Sequence, residues 1–426
     1  MYFPFAGALF FLALLPCPAQ TELPREVLLL SRIRQRMSEV LDQLPNCTCL
    51  ETITRFRKET ASGPFRRIDR LRLEVALIGK KELFSWPGSG RFEDKSITEM
   101  IDRGTIGSGD FANFARAVFL SHAATINHAG EDLRHRRRAL RYNYQMPLFQ
   151  SGYRVRVDDR AAVVAYHGSF WVDAETLDLL RLQVLADQIP LELGLAEVVT
   201  ELEYRKIPLG AGLFLLPATA ESVMAFSSGR ASRNRIEFTD CRQFAAESSI
   251  SFEQPAASRA GSNRPQQLIT LPAGIEVQVR LETPIDSEKS AIGDLIAARV
   301  DREVKSEGRL LLTKGALLEG RIRQLESFTS PAPYFEVGLI LTGLRLEKWQ
   351  APFFADLEEV GPLPALFGDP TRPQDSGSSR KLAAPTIRAR YLPQAPGIGF
   401  FYIAGSRCQL PKGLRMVWRT KDKPSP

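Results

Sequence analysis

The sequence predicts an α+β protein in which an N-terminal amphipathic helix precedes a long antiparallel meander and a second block made almost wholly of strands. The helix is indicated over Arg25–Leu44, where apolar residues recur every three or four positions. The meander is indicated by alternating stretches such as Phe65–Ile78, which put every second apolar residue on one face. With 426 residues, the chain is long enough for two such domains.

The N-terminus has the pattern of a secretory signal. Phe3–Leu15 is an uncharged apolar run, shorter than the roughly 20 residues that span a bilayer, and a Pro-Cys-Pro-Ala segment ends at Ala19. We therefore expect residues 1–19 to be a signal peptide, and the protein to be exported to the periplasm or the cell surface. Two alternatives stay open, namely a lipid anchor at Cys17 and an uncleaved leader that acts as a membrane anchor.

The first domain is predicted over residues 20–252. Its helix ends before Pro45, and its strands are interrupted by two short helices at Ile97–Asp102 and Asp110–Ser121. Residues 253–267 are rich in Pro, Ala and Ser without apolar periodicity, which predicts a linker.

A β domain is then predicted over residues 268–426. Its strands follow a repeated Leu-x-x-Gly turn, and a mobile insertion is expected near 361–385; the glycines of the repeat are Gly274, Gly315 and Gly413.

Four cysteines follow the leader, and export makes disulfides plausible. They are Cys47, Cys49, Cys241 and Cys408. Four cysteines allow three pairings, and spacing alone does not choose among them. We favour Cys49–Cys241, which would tie the start of the first domain to its end. Cys47 and Cys408 would then either form a bridge between the domains or remain free.

Composition and motifs argue against most catalytic classes. The net charge of +7 is dispersed along the chain, so no nucleic acid partner is expected. Four histidines and five cysteines argue against a metal centre, and no Gly-x-Ser-x-Gly or His-Glu-x-x-His motif occurs. We therefore predict a protein that is not an enzyme and uses no cofactor. A hydrolase remains an alternative, because the turn carboxylates Asp173 and Glu175 could do acid–base chemistry.

One short stretch concentrates positive charge. It comprises Arg134, Arg136, Arg137, Arg138 and Arg141. Such a run predicts contact with an anionic surface, including peripheral contact with a membrane. The alternative is a solvated strand edge that charge protects from aggregation.

The segment His167–Leu182 resembles the strand, Asp turn and strand of periplasmic lipoprotein carriers and their relatives. The resemblance covers Arg25–Phe252. It implies that the meander curves into a half-barrel around the helix and holds acyl chains in its concave face.

The second block is similar to the β-barrel domain of conjugation and type IV secretion channel subunits. The similarity rests on Leu271–Ile285, Ile292–Asp294, Ala297–Val300 and Leu310–Arg321. Its matching residues are turn positions, so it implies a small β-barrel and no activity. The two-domain layout also resembles that of uncharacterised exported bacterial proteins.

These observations favour a non-catalytic binding or scaffold protein of the cell envelope. The partner would be a lipid or a lipidated protein in the concave face of the first domain. The candidate ligand-binding residues are Leu30, Ile33, Met37, Trp86 and Trp171. The rival hypothesis is a structural module whose barrel docks onto an envelope or secretion assembly.

Overall fold

The computed structural model describes most of the chain outside the N-terminal leader and the predicted linker. The described residues are 24–79, 81–92, 97–100, 113–134, 136–158, 160–244, 271–330, 332–346, 349–363, 366–367, 388–392 and 395–422. The predicted signal peptide, Cys17, the linker 253–267 and most of the predicted insertion 361–385 therefore lie outside them.

The described part of the first half of the chain contains three α-helices. They are α1 (Arg25–Asp42), α2 (Ile97–Met100) and α3 (Asn113–Leu120). Helix α1 ends two residues before the predicted Leu44, where the backbone N–H of Gln43 donates to the carbonyl of Glu39. Its apolar stripe is buried along the second half of the helix, at Ile33, Met37, Val40 and Leu41.

Ten of the first twelve strands form one antiparallel sheet. The strands are β1 (Cys47–Lys58), β2 (Arg66–Ile78), β3 (Lys81–Ser85), β4 (Thr125–Arg134), β5 (Arg137–Met146), β6 (Arg154–Val157), β7 (Arg160–Val163), β8 (Ala165–Asp173), β9 (Leu179–Asp187), β10 (Leu195–Leu209), β11 (Gly212–Phe226) and β12 (Ala231–Gln243). Their order is β3-β2-β1-β12-β11-β10-β9-β8-β5-β4, and β6 and β7 form a separate hairpin. The predicted α+β class with a curled sheet on an N-terminal helix is confirmed.

The two faces of this sheet differ, because successive residues of a strand point to opposite sides. On the helix side, Phe170 stacks on Tyr142 at 5.2 Å between ring centroids and meets Phe119 of α3 edge-on at 4.8 Å. On the opposite side, Trp171 lies beneath a set of arginines and donates its Nε1–H to Asp132 at 2.8 Å. The helix side is therefore apolar, and the other face carries charged residues.

The second half of the chain is wholly β in its described part. The strands are β13 (Glu276–Leu281), β14 (Ile285–Asp286), β15 (Leu295–Val300), β16 (Val304–Ser306), β17 (Arg309–Leu312), β18 (Leu317–Phe328), β19 (Tyr334–Leu346), β20 (Trp349–Pro352), β21 (Ala355–Val360), β22 (Leu366–Phe367), β23 (Arg388–Leu392), β24 (Ala395–Ala404), β25 (Gln409–Leu410) and β26 (Arg415–Thr420). The main path runs β21-β26-β13-β15-β18-β19-β24-β22. The sheet curls into a barrel, because β24 packs against β21 where Gly399 faces Leu357.

The repeated Leu-x-x-Gly motif forms the same turn three times. Gly274, Gly315 and Gly413 have φ of 83°, 84° and 86°, a left-handed conformation that glycine adopts without steric cost. The turns lead into β13, β18 and β26 respectively.

The two sheets meet at β2 through main-chain hydrogen bonds. The N–H of Arg72 donates to the carbonyl of Ile292, and the N–H of Ile292 donates to the carbonyl of Arg70, both at 2.8 Å. Gly293 packs against this junction so closely that a Cβ there would lie 2.3 Å from the Arg72 carbonyl oxygen. The apolar core is continuous across the junction, since Leu71 and Ile292 belong to one buried cluster.

One disulfide joins Cys49 of β1 to Cys241 of β12, the pairing that the sequence-based hypothesis favoured. The suggested bridge between Cys47 and Cys408 is wrong, because both thiols are free. Both are buried, Cys47 in β1 and Cys408 just before β25, and burial raises the pKa of Cys47 to about 11 and that of Cys408 to about 12.

Candidate functional site

A cleft of about 1320 Å³ opens between the first turns of α1 and the β4–β5 hairpin. Two other clefts, of about 230 and 600 Å³, are smaller and mostly polar. The apolar part of the lining of the large cleft is formed by Leu28, Leu29, Leu140 and Ala174. The charged part comprises five arginines at the rim and four carboxylates, namely Arg25, Arg32, Arg136, Arg137 and Arg138, and Glu26, Glu131, Asp173 and Glu175. A lining that combines apolar and charged groups fits an amphipathic ligand.

Helix α1 supplies one wall of the cleft because its two halves are packed differently. Ile33 and Met37 are fully buried, whereas Val27 and Leu28 are each about half exposed. Arg36 holds the helix to the β8–β9 turn by donating to Asp178 through Nε at 3.1 Å and Nη2 at 2.9 Å. The second half of the helix is thus fixed to the sheet, and the first half leaves apolar side chains facing the cleft.

The β4–β5 hairpin supplies the opposite wall. Its pairing extends to Arg134 and Arg137, and a bulge lies between His128 and Gly130. Leu140 lies in the helix-side core and also lines the cleft. His128 reaches toward the helix, with Nδ1 at 3.8 Å from Glu26 Oε1.

Most acidic groups of the cleft are engaged locally, which leaves several arginines available. Glu131 accepts from Arg138 at 2.8 Å, and Asp173 Oδ1 accepts from the backbone N–H groups of Glu175 at 2.9 Å and Thr176 at 3.0 Å. Within the described ranges, no carboxylate forms an ion pair with Arg25, Arg32 or Arg136, so these guanidinium groups can receive an anionic group of a ligand.

The five predicted ligand-binding residues do not form one site. Leu30 is half-buried, and Ile33 and Met37 pack in the core beneath α1. Trp86 lies at the junction of the two sheets, where the Arg323 guanidinium stacks 4.6 Å from its ring. Trp171 lies on the face opposite the helices. Placing both tryptophans in the concave face was therefore wrong, because strand alternation and the junction direct them elsewhere.

The basic run divides into two groups. Arg136, Arg137 and Arg138 line the cleft. Arg134 and Arg141 lie over the ring of Trp171, at 4.7 and 5.5 Å from its centroid. Arg134 ends β4, the last strand of the sheet in its described part, so contact with an anionic surface and protection of a sheet edge both stay predictions.

Asp173, one of the two carboxylates proposed for a hydrolase, accepts hydrogen bonds from the backbone of the turn between β8 and β9. Burial would raise the pKa of Asp173, but its two backbone hydrogen bonds and Arg137 lower it below the usual value. Burial likewise opposes ionisation of Asp178, yet Lys206 and Arg36 bring its pKa below the usual value. The lowered pKa makes Asp173 unsuited to serve as a general acid, which needs a raised pKa, and the same holds for its neighbour Asp178.

Several residues of the cleft were missed by sequence reasoning, among them Leu28, Leu29, Leu140 and His128. One signal was present in the run Val27–Leu30, since four consecutive apolar residues cannot all face one side of a helix. Leu140 and His128 had no local signal, because their proximity to α1 arises from packing between segments about 100 residues apart.

Within the described part of the chain, no three His, Cys, Asp or Glu residues cluster closely enough to hold a metal ion. Among the helices so described, none is long and apolar enough to cross a membrane.

No protein-family model matches the sequence, and no curated protein matches it. Three solved structures are similar to about half of the chain. A putative outer membrane lipoprotein-sorting protein domain from Vibrio parahaemolyticus is 12% identical, with 51% of this chain and 93% of that chain covered and a TM-score of 0.28. A LolA superfamily protein from Nitrosomonas europaea is 10% identical, with coverages of 50% and 92% and a TM-score of 0.27.

A DUF1329 family protein from Desulfovibrio piger is 14% identical, with coverages of 54% and 97% and a TM-score of 0.29. Similarity at this level does not assign a function to the chain.

Proposed function

We propose that the protein is a non-catalytic binding protein of the cell envelope that holds an acyl-chain ligand, either a lipid or a lipidated protein, in the cleft beside α1. The observation that carries the proposal is the cleft itself, whose lining combines Leu28, Leu29 and Leu140 with arginines. Its volume of about 1320 Å³ exceeds the roughly 300–1,000 Å³ of pockets that bind small molecules.

The chemistry of the lining supports an amphipathic ligand. Burying an acyl chain against leucines is favourable by about 0.8 kcal/mol for each CH₂ group removed from water. A phosphate or carboxylate head at the rim would accept charge-assisted hydrogen bonds from Arg25, Arg32 or Arg136. Location in the periplasm or at the cell surface is part of the proposal, which the leader-like N-terminal sequence and the Cys49–Cys241 disulfide support.

Two neighbouring helix residues allow a matched test. Leu28 and Val27 are 49% and 50% exposed, but only Leu28 lines the cleft. We expect Leu28→Asp to weaken binding of a fluorescent C16 fatty acid by at least about tenfold, because a buried carboxylate would face the acyl chain. Val27→Asp adds the same charge to the same turn and should change the affinity by less than about twofold.

The measurement is a fluorescence titration of wild type and both variants, together with native mass spectrometry of the purified protein for a co-purified lipid. Equal thermal stabilities of the two variants would show that both fold. Equal affinities of the two variants, or absence of fatty-acid binding by the wild type, would refute the proposed site.

A further inference from the structure

The tip of the β4–β5 hairpin carries an exposed apolar side chain among arginines. Leu133 is 72% exposed, which is unusual for a leucine in a paired strand. The tip, which we define as residues 133–134 and 136–138, contains four arginines and no acidic residue. The side chains of Arg137 and Arg138 are 70% and 72% exposed.

The two acidic residues before the tip are already engaged. Glu131 accepts from Arg138, and Asp132 accepts from the indole N–H of Trp171 at 2.8 Å. Asp132 also lies 3.9 Å from Arg134. Asp173 lies 3.6 Å from Arg137, so three arginines of the tip face a carboxylate, whereas Arg136 has no carboxylate partner among the described residues.

The tip lies beside the exposed start of α1. Arg136, Arg137 and Arg138 line the same cleft as Arg25 and Leu28, so apolar and cationic groups of two elements adjoin at this end of the sheet. An anionic lipid surface complements both properties, because headgroups attract arginines and the interface accepts a leucine side chain.

We propose that the hairpin tip docks the protein peripherally on an anionic lipid bilayer, with its arginines on the headgroups and Leu133 in the interface. The docking surface shares Arg136, Arg137 and Arg138 with the rim of the cleft, but docking through it requires no ligand in the cleft. Each arginine near an anionic surface contributes a factor of about five to binding. Three arginines of the tip would together contribute about 100-fold.

The test is co-sedimentation of the full chain with large vesicles containing either pure phosphatidylcholine or a mixture with phosphatidylglycerol. Wild type is expected to bind the anionic vesicles, and binding should fall as salt rises because screening weakens surface charges. The triple variant Arg136→Ser/Arg137→Ser/Arg138→Ser should lose about 100-fold in affinity.

A matched control removes the same charge elsewhere in the same sheet. Arg230, Arg235 and Arg242 are more than half exposed, with side-chain exposures of 56%, 55% and 72%. Replacing these three by Ser should change vesicle binding by less than about fivefold. Equal losses in the two triple variants would show attraction by net charge alone and would overturn the proposal.

Leu133→Ser tests the apolar part of the contact. It should weaken binding to anionic vesicles by about tenfold without changing the salt dependence, since no charge is lost. Unchanged binding would overturn the insertion of Leu133, and unchanged binding by the arginine variant would overturn docking through the tip. The fatty-acid titration uses no vesicles, so either proposal can fail while the other stands.

Discussion

A buried ion pair near the junction makes two single residues decisive for stability. Arg55 Nε donates to Asp69 Oδ1 at 2.7 Å, and their side chains are 3% and 0% exposed. Burial would lower the pKa of Arg55, but Asp69 raises it above the usual value. We expect Asp69→Asn to lower the free energy of unfolding by about 3–5 kcal/mol, because it leaves a buried guanidinium without its counter-charge.

Urea unfolding of this variant measures the loss. The control is Glu358→Gln, which breaks the exposed pair with Arg419 and should cost less than about 1 kcal/mol. Similar losses in the two variants would contradict the importance of burial for the Arg55–Asp69 pair.

The contribution of Glu326 to folding stability changes with pH in the opposite direction from that of an ordinary ion-paired carboxylate. Burial, with Asp69 nearby, raises the pKa of Glu326 above 4.5, although Arg57 lies 3.4 Å away. The folded protein therefore binds this proton at a higher pH than the unfolded chain does. At pH values above the raised pKa, the buried charged carboxylate destabilises the folded protein. This destabilisation disappears as the pH falls through the raised pKa.

Replacing Glu326 by Gln should remove this destabilisation. We expect the stability of wild type relative to Glu326→Gln to increase as the pH falls from neutrality toward 4.5. Urea midpoints of both proteins across that range provide the measurement, with Glu358→Gln as an exposed carboxylate control. A difference between wild type and variant that does not change with pH would be inconsistent with a raised pKa.

At the scale of elements, two turns that contain glycine allow the cost of backbone strain to be measured separately from the cost of a steric clash. Both residues have positive φ, 99° at Gly293 and 83° at Gly274. A Cβ at Gly293 would meet the Arg72 carbonyl oxygen at 2.3 Å and Trp86 at 2.8 Å, whereas a Cβ at Gly274 would meet no atom within 4 Å. We expect Gly274→Ala to cost about 1–2 kcal/mol. Gly293→Ala should cost clearly more, since it also displaces β2 from the second sheet.

Thermal unfolding of Gly274→Ala and Gly293→Ala measures the cost of backbone strain alone and the cost of strain together with the clash. Equal shifts in Tm would mean that the contact with Arg72 and Trp86 contributes nothing beyond the φ angle.

The elements were predictable from sequence to the extent that local periodicity determined them. Helix α1 and the strand alternation in β2 follow from repeats of 3.6 and 2 residues. The pattern of Ala161–His167 predicts one strand. The structure instead ends β7 at Val163 and begins β8 at Ala165, and the N–H of Val164 between them donates to the carbonyl of Tyr153. That division depends on a partner strand, which local pattern does not specify.

The cleft was predictable only in part, for the same reason. The arginines of the rim stand out as a dense run in the sequence. Trp86 and Trp171 do not line this cleft, because residue type does not indicate which face of a sheet a side chain occupies. Strand register decides that, and here it puts Phe170 on the helix side and Trp171 on the other.

At the scale of the whole molecule, the junction joins the two sheets more tightly than a flexible linker would. The N–H of Arg72 donates to the carbonyl of Ile292, and the Arg72 side chain forms an ion pair with Asp294 at 2.5 Å. Arg321 donates to the carbonyl of Pro87 at 2.6 Å. These contacts adjoin an apolar core that extends through both sheets, so separating the sheets would expose buried surface.

We therefore predict that the two sheets unfold in one cooperative transition. Trp171 reports on the first sheet and Trp418, which is fully buried, reports on the second. Single variants Trp171→Phe and Trp418→Phe assign the fluorescence change of each sheet, and both changes should coincide with the loss of far-UV circular dichroism in urea. Gly293→Ala, which disturbs the junction, should separate the two fluorescence transitions. Two separate transitions in the wild type would instead mean that the sheets are independent domains and that the junction contributes little to their stability.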